Sequence, residues 1–254
     1  MKKLLVLIAA FLLLTPLASA SEKYDAIVND SLPNVQELLI SGQNLDVDTT
    51  EETIWEAGGA YIYYTTASVV EVLSDDADDL DADTGAQEVT VYGLDANYNE
   101  VNEAVTMNGA TPVATTQTFL RILKAVVTAA GSSGTNEGTI TVRDDSDTPT
   151  LCTIPPGAGR SSMAMWTVPA GRTAFITSLT VSNMDDAVGA SVRLYIREYG
   201  GYLLSTYVTQ IVSGGLYIPF ELPIRVSQKS DIEIRATGIA ADAAVAVSFN
   251  LYYK

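Results

Sequence analysis

Val245-Ala246-Val247-Ser248-Phe249-Asn250-Leu251-Tyr252 decides the fold class of this chain. On an extended backbone Val245, Val247, Phe249 and Leu251 fall on one side, and Ala246, Ser248, Asn250 and Tyr252 on the other. Alternation of this kind buries one face and wets the other, as antiparallel sheet does. The same period recurs upstream. Val192, Leu194 and Ile196 alternate with Arg193, Tyr195 and Arg197, Ile232 and Ile234 with Glu233 and Arg235, and Val89 and Val91 with Thr90 and Tyr92. Turn chemistry separates the runs at Gly58-Gly59, Asp95-Ala96-Asn97, Gly131-Ser132-Ser133-Gly134, Pro155-Pro156-Gly157, Gly200-Gly201 and Gly214-Gly215. Many short strands punctuated this way predict an all-β chain of two antiparallel, jelly-roll-like β-sandwich domains in tandem. Polar Arg143 to Pro149, followed by Pro155-Pro156-Gly157-Ala158-Gly159, puts a boundary near 143–160. The first sandwich is expected over residues 49–148 and the second over residues 149–254.

Ahead of them lies a leader. Met1-Lys2-Lys3 is basic, Leu4 to Leu14 is unbroken and apolar, Thr15-Pro16 ends that run, and Ala18-Ser19-Ala20 supplies small residues. This is the layout of a secretory signal peptide over residues 1–20, with a retained hydrophobic anchor as the alternative. The run falls short of the about 20 apolar residues that span a bilayer. Residues 21–48 are expected to be a linker with one short helix, because Asn34 can cap, Glu37 sits three places on and Gly42 suits a stop.

Composition removes much chemistry. The 254 residues include 14 Lys+Arg and 31 Asp+Glu, no His and one Cys, for a net charge of −17. Without His there is no Ser-His-Asp or Cys-His catalysis and no imidazole ligand to a metal. One Cys allows no internal disulfide. So acidic a chain lacks the cations that displace counterions from phosphates, so nucleic acid is not an expected partner. No Walker loop, dinucleotide fingerprint or G-x-S-x-G occurs. The expectation is a protein that is not an enzyme, with no catalytic residue to assign.

Three features remain as candidate sites. Asp79, Asp81 and Asp83 have D-x-D-x-D spacing, with Gly85 and Glu88 following. Hard oxygen ligands at alternate positions suit Ca²⁺, although the glycine falls one place late for an EF-hand loop and Thr90 stands where its last acid belongs. The plainer reading is a solvated loop between strands. Cys152, within Leu151-Cys152-Thr153-Ile154, reads as a buried small hydrophobe or else as one half of an intermolecular disulfide. Tyr195, Tyr199, Tyr202, Tyr207 and Tyr217 crowd one stretch and suit sugar stacking, a subunit interface or ordinary cross-strand packing.

Ile54-Trp55-Glu56-Ala57-Gly58-Gly59-Ala60-Tyr61, Val89 through Val101, Thr118-Phe119-Leu120-Arg121-Ile122, Gly131 through Ile140 and Met163 through Ala174 together form a set of turn-and-strand signatures. Over about residues 50–254 the chain resembles virion structural proteins of tailed bacteriophages, of the marine type, including head-decoration and head-fibre proteins. The resemblance implies rigid β-sandwiches and a non-enzymatic role in capsid decoration, a fibre or a spike. It also implies assembly as a homotrimer, with other virion proteins as partners. Host-surface glycans are a further candidate partner. It carries over no catalytic residue. The leader sits badly with it, since capsid parts assemble in the cytoplasm. An exported bacterial cell-surface or filament protein is therefore the alternative, and a His-free carbohydrate-active enzyme the more distant one. The expected location is the virion surface, or outside the cell if the leader is cleaved.

Overall fold

In the computed structural model, residues 34–184 and 188–254 are described. The leader and the start of the linker lie outside those residues, and with them the signal peptide expected over residues 1–20. Among the described residues there are sixteen strands and no helix.

The first sandwich is formed by two antiparallel sheets. One has the order β6 (Val113–Phe119), β3 (Ser68–Ser74), β8 (Ile140–Asp144), β9 (Thr150–Ile154), and the other β5 (Glu100–Thr106), β4 (Ala86–Leu94), β7 (Arg121–Ala130). Val70 and Val72 of β3, Val89 and Val91 of β4, Phe119, Ile122, Ile140 and Val142 meet between them. The turn Asp95-Ala96-Asn97 joins β4 to β5 as expected, with the Asp95 carboxylate accepting the backbone N–H of Asn97 and Asn99.

The second sandwich also pairs two sheets. One runs β1 (Gln36–Val47), β16 (Ala243–Tyr253), β11 (Ala174–Asn183), β14 (Gly214–Val226). The other runs β10 (Met165–Thr167), β15 (Asp231–Gly238), β12 (Ala190–Arg197), β13 (Leu203–Ile211), with β2 (Glu52–Thr53) pairing β15. In β16 every second residue from Ala243 to Tyr253 is buried, the alternation that its sequence spells. Its neighbour β11 breaks the period. Register slips at Thr177, so Ile176 opposes Leu251 while Leu179 opposes Phe249, and both reach the core. The inserted residue is a β-bulge, and the Thr177 hydroxyl donates to the Asn250 carbonyl across it.

Two expectations are corrected. The segment expected to form a short helix within residues 21–48 is strand from Gln36 onward. So short a helix has little stability of its own in water, whereas the open side of β16 offers a ladder of backbone hydrogen bonds. Leu38 and Ile40 then pack on the second core. Gly42 fixes the approach: a Cβ there would stand 2.1 Å from the Ala164 nitrogen. The division at 148/149 also shifts. β9 pairs with β8 and sends Cys152 into the first core, while β1 and β2 pair into the second sandwich. The strands thus cross over twice, near residues 54–67 and again near residues 155–164. Both sandwiches belong to one unit, Glu37–Lys254.

Candidate functional site

The crossings bring charged residues together. Arg121 opens β7 in the first sandwich, and Asp231 opens β15 in the second. Arg121 Nε donates to Asp231 Oδ1 at 2.8 Å, and both side chains are buried. Arg121 Nη1 donates to the carbonyls of Tyr64 and Leu120, each at 2.8 Å. Asp231 also accepts from Thr167 Oγ1 at 2.6 Å and from Arg197 Nε at 2.8 Å and Nη2 at 2.5 Å. Burial works against the Arg121 charge, but the Asp231 carboxylate outweighs it and raises the guanidinium pKa.

Glu233, two places along β15, is fully buried as well. It accepts from Thr53 Oγ1 at 2.5 Å, Tyr63 OH at 3.0 Å and Arg235 Nε at 2.7 Å. Tyr63 lies beneath both arginines, with the Arg197 guanidinium 4.1 Å and that of Arg121 5.0 Å from its ring centre. Burial, with the Glu233 charge adding, pushes the Tyr63 phenol far above its ordinary range. Burial likewise raises Tyr61, and Tyr64 is raised by burial and by its hydrogen bond to Asp144. These phenols stay protonated at neutral pH, and those of Tyr63 and Tyr64 donate to Glu233 and Asp144.

Beside this network a cleft of about 430 Å³ opens, lined by Tyr63, Tyr64, Tyr98, Tyr199, Arg197 and Lys229 among others. Tyr98 stands at φ 68° in the β4–β5 turn, and Tyr199 meets it edge-on at 5.7 Å. Lys229 Nζ lies 5.5 Å from the Tyr98 ring centre and 5.3 Å from that of Tyr199.

The tyrosine stretch therefore separates. Tyr199 faces the cleft. Tyr195 is buried, its hydroxyl donating to Glu51 at 2.8 Å. Tyr207 packs edge-on against Phe220 at 5.7 Å, tying β13 to β14. Tyr202 and Tyr217 are exposed. β13 and β14 are the outermost strands of their sheets, and their ribbon carries Leu204, Val208, Val212 and Leu222 in the open, Leu222 at 87% exposure. From residue 203 to 226 the charged side chains are Glu221 and Arg225 alone, so the ribbon is neutral. Register jumps where Ile176 opposes Ile224 but Ser178 opposes Pro219, so residues 220–223 form a bulge within β14.

The candidate calcium residues are not gathered. Asp79 is fully buried and accepts from Ser74 Oγ at 2.6 Å and from the backbone N–H of Ala86, Glu137 and Gly138 at 2.7, 2.9 and 2.9 Å. It organises the loop from inside. Asp81 is exposed, Asp83 accepts the N–H of Thr84, and Glu88 accepts from Thr128 Oγ1. Among the described residues no group of three or more His, Cys, Asp or Glu side chains is placed to hold a metal ion. Cys152 is buried, and burial pushes its thiol up to about 12, despite a hydrogen bond with Ser161.

Sequence reasoning missed Tyr63, Arg121, Asp231 and Glu233 as a group. The run Tyr61-Ile62-Tyr63-Tyr64 and the acid-rich start of β15, Asp231-Ile232-Glu233, were the available signals.

No protein-family model and no curated protein matches the sequence. Among solved structures, the chain is similar to that of the Gx strain of infectious bursal disease virus, at 10% identity and a TM-score of 0.23, over 87% of this chain and 72% of that one. The VP2 subviral particle of infectious bursal disease virus gives 10% identity and a TM-score of 0.21, over 87% and 71%.

Proposed function

We propose that the chain is a non-enzymatic structural component of a virion surface, built to assemble with copies of itself. The observation that carries this is the β13–β14 ribbon. A chain of charge −17 repels its copies, yet this ribbon is neutral and studded with exposed leucine, valine and tyrosine. Exposed apolar residues concentrated on two edge strands suit an interface. Pro219 and Pro223 on β14 lack backbone donors, which favours association through side chains over edge-to-edge strand pairing. The resemblance to tailed-phage virion proteins supplies the class, namely capsid decoration, fibre or spike, and a copy number of three.

Sedimentation of the purified chain tests the assembly. A mass of three chains supports it, and a monomer at micromolar concentration rejects it. Detection in purified particles tests the location. The leader pattern of residues 1–20 favours a second reading, an exported bacterial surface or filament protein. A mature N-terminus at Ser21, found by mass spectrometry on cell-surface material, would select that one.

A further inference from the structure

We propose that the cleft between the two sandwiches binds a carboxylated pyranose, an acidic sugar of the uronic or sialic type. The inference goes beyond assembly, because the cleft is built within one chain and is separate from the ribbon.

Charge comes first. Arg121, Arg197 and Lys229 line the cleft against Asp231 and Glu198, so its lining is net positive in a molecule with 31 acids and 14 bases. The cations are unequally committed. Arg121 is spent on Asp231 and two carbonyls. Arg197 uses Nε and Nη2 on Asp231, and among the described residues its Nη1 has no hydrogen-bond partner. Among the described residues the Lys229 ammonium has no carboxylate partner and rests between the Tyr98 and Tyr199 rings. Glu198, the remaining acid, accepts from Ser230 Oγ at 3.0 Å. An incoming carboxylate therefore meets Lys229 and the free edge of Arg197.

The rings select what carries that carboxylate. Tyr199 is 64% exposed, fixed edge-on by Tyr98, and offers a flat apolar face beside the cation. The C–H face of a pyranose stacks on such a ring while its hydroxyls stay wet. A volume of about 430 Å³ lies in the range of small-ligand clefts. The floor is fixed beforehand, since Tyr63 is held by Glu233 and Tyr64 by Asp144. Little ordering cost is left to binding.

The test is calorimetric titration of the full chain with galacturonate and N-acetylneuraminate, beside neutral galactose and inorganic phosphate. Saturable binding of at least one acidic sugar is expected, about tenfold tighter than galactose and phosphate, since a charge-assisted hydrogen bond carries that much. Lys229→Gln and Tyr199→Ala should each weaken it about tenfold, while Lys229→Arg retains most of it. Tyr199 is exposed and Lys229 half-buried, and unchanged melting curves certify folded variants. Failure of both acidic sugars to bind overturns the inference. So does phosphate binding as tightly as the sugars, or binding that ignores Tyr199→Ala. A chain that forms trimers yet binds neither sugar leaves the assembly reading standing and removes this one.

Discussion

Arg121 and Asp231 lie 110 positions apart in sequence and 2.8 Å apart in space, one opening a strand of each sandwich. Their contact joins the halves of the molecule and sets the floor of the cleft. Paired charges this deep are costly to desolvate, and they persist because every oxygen of Asp231 is filled by Arg121, Arg197 and Thr167.

Replacing Asp231 by Asn leaves Arg121 buried and Arg197 half-buried without their counter-charge. Removal of one partner of a buried pair costs about 3–5 kcal/mol. Urea unfolding of Asp231→Asn should show a loss of that size. A loss under about 1 kcal/mol, typical of a surface pair, would contradict the role assigned to this contact.

The sheet core was legible because its code is local. β16 alternates over its whole length, and the structure buries the residues that the alternation names. The cleft was not legible, because its wall comes from far away. Ile232 and Ile234 put Glu233 on the face expected to be wet, yet Thr53 and Tyr63, 180 and 170 positions earlier, cover it. Nothing in the strand itself records that cover. β1 failed for the opposite reason. Its local cap-and-stop signals suit a helix, and the open edge of β16 overrides them. The aspartates at 79, 81 and 83 show what spacing leaves open: the chain turns Asp79 inward to hold backbone N–H groups, a burial that the run itself does not record.

Acid should weaken the fold through Asp144. Burial acts to raise its pKa, but hydrogen bonds from Ser146 and Tyr64 prevail and hold it down to about 2. An unfolded aspartate titrates near ~3.9. The folded pKa is the lower one, so this stabilisation is complete above about pH 4 and is lost as pH falls toward about 2. Asp144→Asn should flatten that part of the stability curve. An unchanged acid slope in the variant would refute the assignment.

Cys152 should be silent in the native chain. Its side chain is buried in the first core, and burial holds the thiol up to about 12, so little thiolate forms at pH 8. A disulfide-exchange reagent should label it only after denaturant is added. Rapid stoichiometric labelling of folded protein would show an accessible thiol and reopen the intermolecular disulfide.

Asp79 should stabilise without any metal. Its four hydrogen bonds tie Ser74, Ala86, Glu137 and Gly138 into one loop cluster. Asp79→Ala strands buried donors, each costing about 1–3 kcal/mol, so a total loss of several kcal/mol is expected in denaturant melts. A chelator should leave the wild-type curve where it was. A chelator-induced drop comparable with that of the variant would restore the calcium reading.

The ribbon gives the sharpest division between folding and assembly. Leu222 and Val208 contribute little to the monomer, being 87% and 54% exposed, so Leu222→Asp and Val208→Asp should change stability by no more than about 0.5 kcal/mol. In the proposed interface between copies the same changes would place carboxylates on an apolar surface, where desolvation is costly. Sedimentation should therefore shift from three chains to one while the melting curve stays in place. Trimers that survive both substitutions would move the interface elsewhere on the molecule, and the neutrality of residues 203–226 would need another explanation.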